Sequence, residues 1–239
     1  MTKITTGMAM AAGLGTRMRP LTNDRPKALV EVGGRALLDW TLDRYAAAGI
    51  ERAVVNIHHF ADRMEAHLGA RTGAPEIRIS DERGELLETG GGLAKARPLL
   101  GEGPVFVSNI DAVWTDGPQT ELDRLQDAWK PTKMGALLLL APMDRTLGFD
   151  GAGDFFLEPD GRLRRRGEAD AAPYAYAGVQ ILDMAAMAGE PVEPFSTNRI
   201  WNRLLDEGRL FGLPMQAFWM HVGDPQARAE AEARLGETA

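Results

Sequence analysis

Through its first 140 residues the chain alternates short apolar runs with helically spaced ones, and this alternation restricts the fold more than any other feature. The apolar runs predict strands over 7–11, 53–57, 77–80, 105–108 and 136–140. Between them, helices are expected over 37–48, 62–68, 92–100 and 121–129. The first carries Leu38, Leu42, Tyr45 and Ala46 at helical spacing and stops at Gly49; the third is expected to break near Pro98. A β-α-β-α order of this kind implies an α/β fold: a Rossmann-like, mostly parallel sheet flanked by helices.

The second half changes character. Segments 154–157 and 163–166 flank Pro159-Asp160-Gly161 and read as a hairpin. Strands are expected over 174–182, 210–214 and 219–222, and helices over 198–207 and 226–235. With no repeat and no low-complexity linker, we read residues 1–239 as one domain whose C-terminal part covers the sheet. Hydrophobic residues make up 44% and charged residues 26% of the 239, a globular composition. The net charge of −7 disfavours nucleic acid and anionic membrane as partners. No cysteine is present, which excludes disulfides, thiolate metal sites and a cysteine nucleophile and fits a cytoplasmic location. Neither a signal pattern nor a membrane-length apolar run occurs.

Chemistry concentrates where the first strand runs into Ala11-Ala12-Gly13-Leu14-Gly15-Thr16-Arg17-Met18-Arg19-Pro20-Leu21-Thr22. Glycines beyond a strand's C-terminal end let backbone amides approach a phosphate. A P-loop needs Lys-Ser/Thr where Thr16-Arg17 stand, and a dinucleotide fingerprint needs a third glycine where Met18 stands, so neither fits. A bare Gly-x-Gly also serves a plain tight turn. Arg17, Arg19 and Lys27 add three cations to the same loop, suited to gripping phosphate oxygens.

With these residues the sequence resembles the sugar-1-phosphate nucleotidylyltransferase family, whose signature matches Gly13 to Thr22 and Pro26-Lys27-Ala28-Leu29. The resemblance implies a nucleotide-diphospho-sugar transferase fold, with a nucleotide-binding part over about 1–145 and a smaller β-rich sugar-binding part over about 146–239. It also implies nucleotidyl transfer from an NTP to a sugar 1-phosphate with Mg²⁺ as cofactor. Arg17 and Lys27 are then expected to hold the triphosphate, and Ala11, Ala12, Gly13, Gly15 and Thr16 to line the nucleoside. Arg19 is expected to be solvated.

Further segments extend the resemblance. Ser80-Asp81-Glu82 with Leu87-Glu88-Thr89-Gly90-Gly91-Gly92 looks like the base-recognising segment, and it resembles particularly the members that act on UTP and N-acetylmuramate 1-phosphate. Glu82, Gly90 and Gly91 are expected at the base, the glycines as exposed amides before a helix. The strand ending Asn109-Ile110-Asp111 is similar to the family's Asn-Gly-Asp, which implies Asn109 at the nucleotide and Asp111 at the metal. Tyr176-Ala177-Gly178-Val179 resembles the sugar-side strand, with Tyr176 and Gly178 beside the sugar. The family's closing Trp-x-Asp-x-Gly is altered here to Trp219-Met220-His221-Val222-Gly223-Asp224. Either His221 takes part, or Asp224 substitutes for the missing carboxylate, or Asp111 alone suffices. Mg²⁺ prefers oxygen ligands, and imidazole suits other divalent ions better. His58 and His59 read as structural, and Arg162 to Arg166 as a solvated face in which one arginine would suit the lactyl carboxylate of N-acetylmuramate. The alternatives are a mannose- or heptose-1-phosphate guanylyltransferase, and a catalytically silent nucleotide-sugar-binding regulatory protein. The sequence carries no sign of oligomeric state.

Overall fold

The computed structural model describes residues 3–237. In chain order its strands are β1 (Thr6–Met10), β2 (Glu31–Val32), β3 (Arg35–Ala36), β4 (Arg52–Ile57), β5 (Glu76–Asp81), β6 (Pro104–Asn109), β7 (Ala112–Val113), β8 (Ala136–Pro142), β9 (Thr146–Leu147), β10 (Phe155–Leu157), β11 (Leu163–Arg165), β12 (Tyr174–Asp183), β13 (Leu210–Pro214) and β14 (Trp219–His221). The helices are α1 (Leu37–Ala47), α2 (Ala61–Ala70), α3 (Glu88–Leu100), α4 (Glu121–Ala128), α5 (Asn198–Asp206) and α6 (Pro225–Glu237).

The main sheet runs β5-β4-β1-β6-β12-β8-β13. Strands β5, β4, β1 and β6 are mutually parallel. The long β12 is antiparallel to both β6 and β8, and β13 returns parallel to β8. Strands β12, β8 and β13 therefore extend the sheet's edge, where a cover over its face was expected, and the β10–β11 hairpin branches off beside the start of β12. Val105 to Val107 and Ala136 to Ala141 are continuous apolar runs that suit strands buried on both faces, and such strands take the sheet's interior.

The pleat divides the core in two. Along β8, Leu137 and Leu139 join the cluster under α1, α2 and α4, while Leu138 and Leu140 join the one under α3 and α5. Each of these four leucines is at most 1% exposed, and burying each stabilises the fold by roughly 1.5–3 kcal/mol. Every expected strand and helix forms, with ends shifted by a few residues. Added to them are the β2–β3 hairpin around Gly33-Gly34 and a small sheet in which β14 lies between β7 and β9. The sheet's parallel strands β1, β4 and β6 all finish at one edge, where Met10, Asn56 and Asn109 face a common cavity.

Helix α3 departs most from expectation. It starts at Glu88, takes in all three glycines and runs through Pro98. Gly90, Gly91 and Gly92 are buried because other chain segments press against them. A methyl on Gly90 would overlap the Phe195 ring and on Gly91 the Glu193 carbonyl oxygen; on Gly92 it would lie 2.9 Å from Glu82 Oε1. The low helix propensity of glycine is outweighed here by the close approach it permits.

Candidate active site

A cavity of about 470 Å³ opens beyond the ends of β1, β4 and β6, where open α/β sheets place ligands. Its walls include Ala11, Ala12, Gly13, Gly15, Thr16, Arg17, Lys27, Asn109 and Asp111, which the sequence had grouped from three separate segments. Gly15 takes a left-handed φ of 63°, and a Cβ there would meet Lys27 Cβ at 2.8 Å. This glycine lets the loop fold back onto the segment that presents Lys27, and Thr22 Oγ1 fastens the turn by donating to the Gly15 carbonyl at 2.8 Å. Arg17 stands exposed at the rim. Arg19 is exposed and outside the cavity lining.

At the floor, Lys27 Nζ donates to Asp111 Oδ2 at 2.7 Å. Burial alone would raise the Asp111 pKa, but Lys27 and His221 beside it hold the carboxyl well below the usual range. His221 Nδ1 lies 3.0 Å from the Gly148 carbonyl, which can only accept, so Nδ1 carries the hydrogen. Its Nε2 then faces Asp111 Oδ2 at 3.4 Å. Asp224 is elsewhere engaged: its Oδ1 accepts from the Ala227 amide at 2.9 Å and so caps α6. Of the two residues weighed for the missing carboxylate, the structure brings His221 to Asp111 and assigns Asp224 to the helix.

The segment following Asp111 is clamped from behind. Arg44 donates to the carbonyls of Ala112 at 3.1 Å and Trp114 at 2.7 Å, and its guanidinium lies 3.5 Å from the Trp114 ring centre. Burial pushes the pKa of this guanidinium down to about 9.

Three expected nucleotide contacts lie behind the wall. Gly90 and Gly91 both donate to the Phe195 carbonyl, at 2.8 and 3.2 Å, so their amides are already used. Glu82 is 0% exposed. It accepts from Asn56 Nδ2 at 2.8 Å and from the Leu87 amide, and burial raises its pKa. Asn56 was missed by sequence reasoning. It lines the cavity while its Oδ1 accepts the Ala11 amide at 2.7 Å, so one side chain ties the glycine loop to Glu82. Glu88 and Thr89, which stand in the segment expected at the base, also line the cavity, as does Ser196, which carried no sequence signal. His58 is structural, with Nδ1 2.7 Å from the Glu82 carbonyl oxygen.

A second cavity of about 350 Å³ adjoins the first through Met10, Thr89, Asn109 and Ser196. Tyr176 lines it beside Asp154, Arg165, Gln180 and Trp201. Gly178 does not. It forms a bulge in β12 at φ 80°, where a Cβ would lie 3.2 Å from Ala112 and 3.3 Å from Asn109, so its place is in backbone packing.

Comparison with known proteins agrees with this geometry. A family model described as Nucleotidyl transferase matches residues 6–149. N-acetylmuramate alpha-1-phosphate uridylyltransferase of Caulobacter vibrioides is 54% identical over 233 residues, 96% of each chain. The protein of the same name from Neisseria meningitidis is 33% identical over 96% of this chain and 97% of its own. Among solved structures, UDP-glucose pyrophosphorylase from Acinetobacter baumannii superposes with a TM-score of 0.79 at 17% identity, covering 98% of this chain and 94% of that one, a likeness of fold. Among the described residues, no helix is long and apolar enough to cross a membrane.

Proposed function

Because the chain belongs to the nucleotidyl transferase family, we propose that it transfers the uridylyl group of UTP to N-acetylmuramate α-1-phosphate, giving the UDP-sugar and pyrophosphate. The observation that carries this reading is the convergence of Arg17 and the Lys27–Asp111 pair on the glycine loop in one cavity. The choice of base and sugar follows the 54% identical relative. A cytoplasmic location accords with UTP as a substrate.

The nucleophile is a sugar phosphate oxygen, ionised near neutrality because phosphate monoesters have a second pKa of about 6. No general base is needed. Catalysis then rests on positioning and countercharge for in-line attack at the α-phosphorus. Arg17 at the rim and Lys27 at the floor supply that countercharge to the triphosphate. Ala12, Gly13, Gly15 and Thr16 lie against the nucleotide, while Asn56 and the buried Glu82 keep the loop in place. Tyr176 and its neighbours in the second cavity receive the sugar.

The donor set fits a divalent cation of the Mg²⁺ type. Asp111 offers a carboxylate at the floor, and Mg²⁺ is commonly held by one or two carboxylates together with substrate phosphates. His221 Nε2 lies 3.4 Å from Asp111 Oδ2, so a nitrogen donor stands beside the carboxylate. When bound, the cation would neutralise charge on the reacting phosphates.

The test is pyrophosphate release measured across the four NTPs against a panel of sugar 1-phosphates. UTP with N-acetylmuramate α-1-phosphate is expected to be the most efficient pair. Preference for GTP with mannose or heptose 1-phosphate would replace the substrate assignment, and absence of release with every pair would refute transfer altogether.

A further inference from the structure

Of the arginines between 162 and 166, the strand pleat turns one into the second cavity. Arg162 pairs with Asp160 and Arg164 with Glu158, both on the exposed side of the hairpin. Arg166 holds the loop by donating to the Gly153 and Ala169 carbonyls. Arg165 lies on the same face of β11 as the buried Leu163 and lines the cavity. One of its terminal nitrogens donates to Asn198 Oδ1 at 2.8 Å and to Asn202 Oδ1 at 2.9 Å. Its guanidinium carbon sits 5.0 Å from the Phe155 ring centre and 5.7 Å from that of Trp201. Trp201 is itself fixed by donating Nε1 to Gln180 Oε1 at 2.9 Å.

This guanidinium is oriented and half-buried, yet among the described residues no carboxylate forms an ion pair with it. Asp154 lines the same cavity and its charge partly offsets that of Arg165, but it makes no ion pair with the guanidinium, and its Oδ2 accepts the Tyr176 amide at 2.8 Å. Loss of solvent disfavours the charged form of Arg165, as its lowered pKa reflects. A partly desolvated cation held by neutral amides and rings gains most from an anion brought by the ligand.

We propose that Arg165 binds the carboxylate of a carboxylate-bearing sugar 1-phosphate and thereby separates N-acetylmuramate 1-phosphate from N-acetylglucosamine 1-phosphate, its analogue without that carboxylate. The two sugars differ by the lactyl ether alone, so the discrimination needs one group that reads a carboxylate. Asn198 and Asn202 act as positioning residues that aim the guanidinium fork. The inference rests on the second cavity receiving the sugar of the proposed reaction.

The experiment compares wild type with Arg165→Met by titration calorimetry, using N-acetylmuramate 1-phosphate and N-acetylglucosamine 1-phosphate, with pyrophosphate release from UTP measured in parallel. A charge-assisted contact of this kind corresponds to on the order of 10- to 100-fold in affinity. The ratio of Kd values between the two sugars should therefore collapse by about that factor in the variant. An unchanged ratio overturns the inference, even where uridylyl transfer persists. A collapsed ratio with no transfer in wild type upholds the carboxylate site and overturns the proposed reaction. UTP affinity reports folding; if Arg165→Met loses it, Arg165→Lys, which keeps the charge but not the fork, must lower the ratio for the inference to stand.

Discussion

Replacing Gly91 by alanine tests whether the triple glycine is there for packing. Gly91 lies inside α3 with an ordinary helical backbone, so by propensity alone alanine would stabilise by about 1 kcal/mol. The added Cβ, however, would overlap the Glu193 carbonyl oxygen and sit 3.0 Å from its carbon, closer than the roughly 3.5–4.0 Å optimum. That neighbour is backbone and cannot rotate aside. Overpacking of this kind costs about 1–3 kcal/mol. If the strand of chain at Glu193 to Phe195 is pushed away, the bonds from Gly90 and Gly91 to the Phe195 carbonyl weaken too, at about 1 kcal/mol each. The net expectation is a loss of about 2 kcal/mol, lowering Tm by roughly 4–8 °C in a chain of this size. Gly69→Ala in α2 is the control: nothing lies within 4 Å of its Cβ, and it should raise Tm slightly. Thermal unfolding followed by circular dichroism compares the two. If Gly91→Ala is as stable as Gly69→Ala or more so, the packing account of this segment is wrong.

Lys27→Ala and Arg17→Ala should each lower kcat by about 100-fold or more, as loss of a preorganised charge donor does; near-normal turnover in both would end the assignment of roles. Asp224→Ala should cost about 1 kcal/mol in unfolding free energy through its helix cap, yet leave the metal dependence of turnover as in wild type, whereas Asp111→Asn should weaken it. A metal titration of both variants separates these outcomes. Glu82 has a raised pKa in the folded chain, so between the ordinary glutamate value and its own the native state binds more protons than the unfolded one, and this group's contribution to stability falls as pH rises through that window. Glu82→Gln should therefore show a shallower loss of urea midpoint with rising pH than wild type, and parallel pH profiles would contradict the assignment.

The sequence displayed the alternating elements well because glycines punctuate them: Gly49 and Gly208 fall just past α1 and α5, where helix ends favour them. It could not display where the three glycines of α3 belong, since the Phe195 carbonyl that claims two of their amides is more than a hundred residues away. Asn56 was invisible for the same reason: nothing within β4 shows that its two ends are shared between Ala11 and Glu82. Lys27, Arg17 and Asp111 were legible because each stands in a local pattern after a strand or beside a glycine turn. Arg165 was legible only as one of a basic run, and the pleat had to be seen before its direction differed from that of Arg164. Asp224 illustrates the converse, a carboxylate near the right place by number whose local helix start claims it first.

The two cavities adjoin along Met10, Thr89, Asn109 and Ser196, which line both. A nucleotide-sugar lying across both is in effect a tethered pair of ligands, and the second half binds at the high local concentration imposed by the first. The finished product should hence cling more tightly than either substrate, and the pace of turnover becomes a question of letting go. A short covalent bridge between a uridine phosphate and an acidic sugar would exploit the same avidity as an inhibitor.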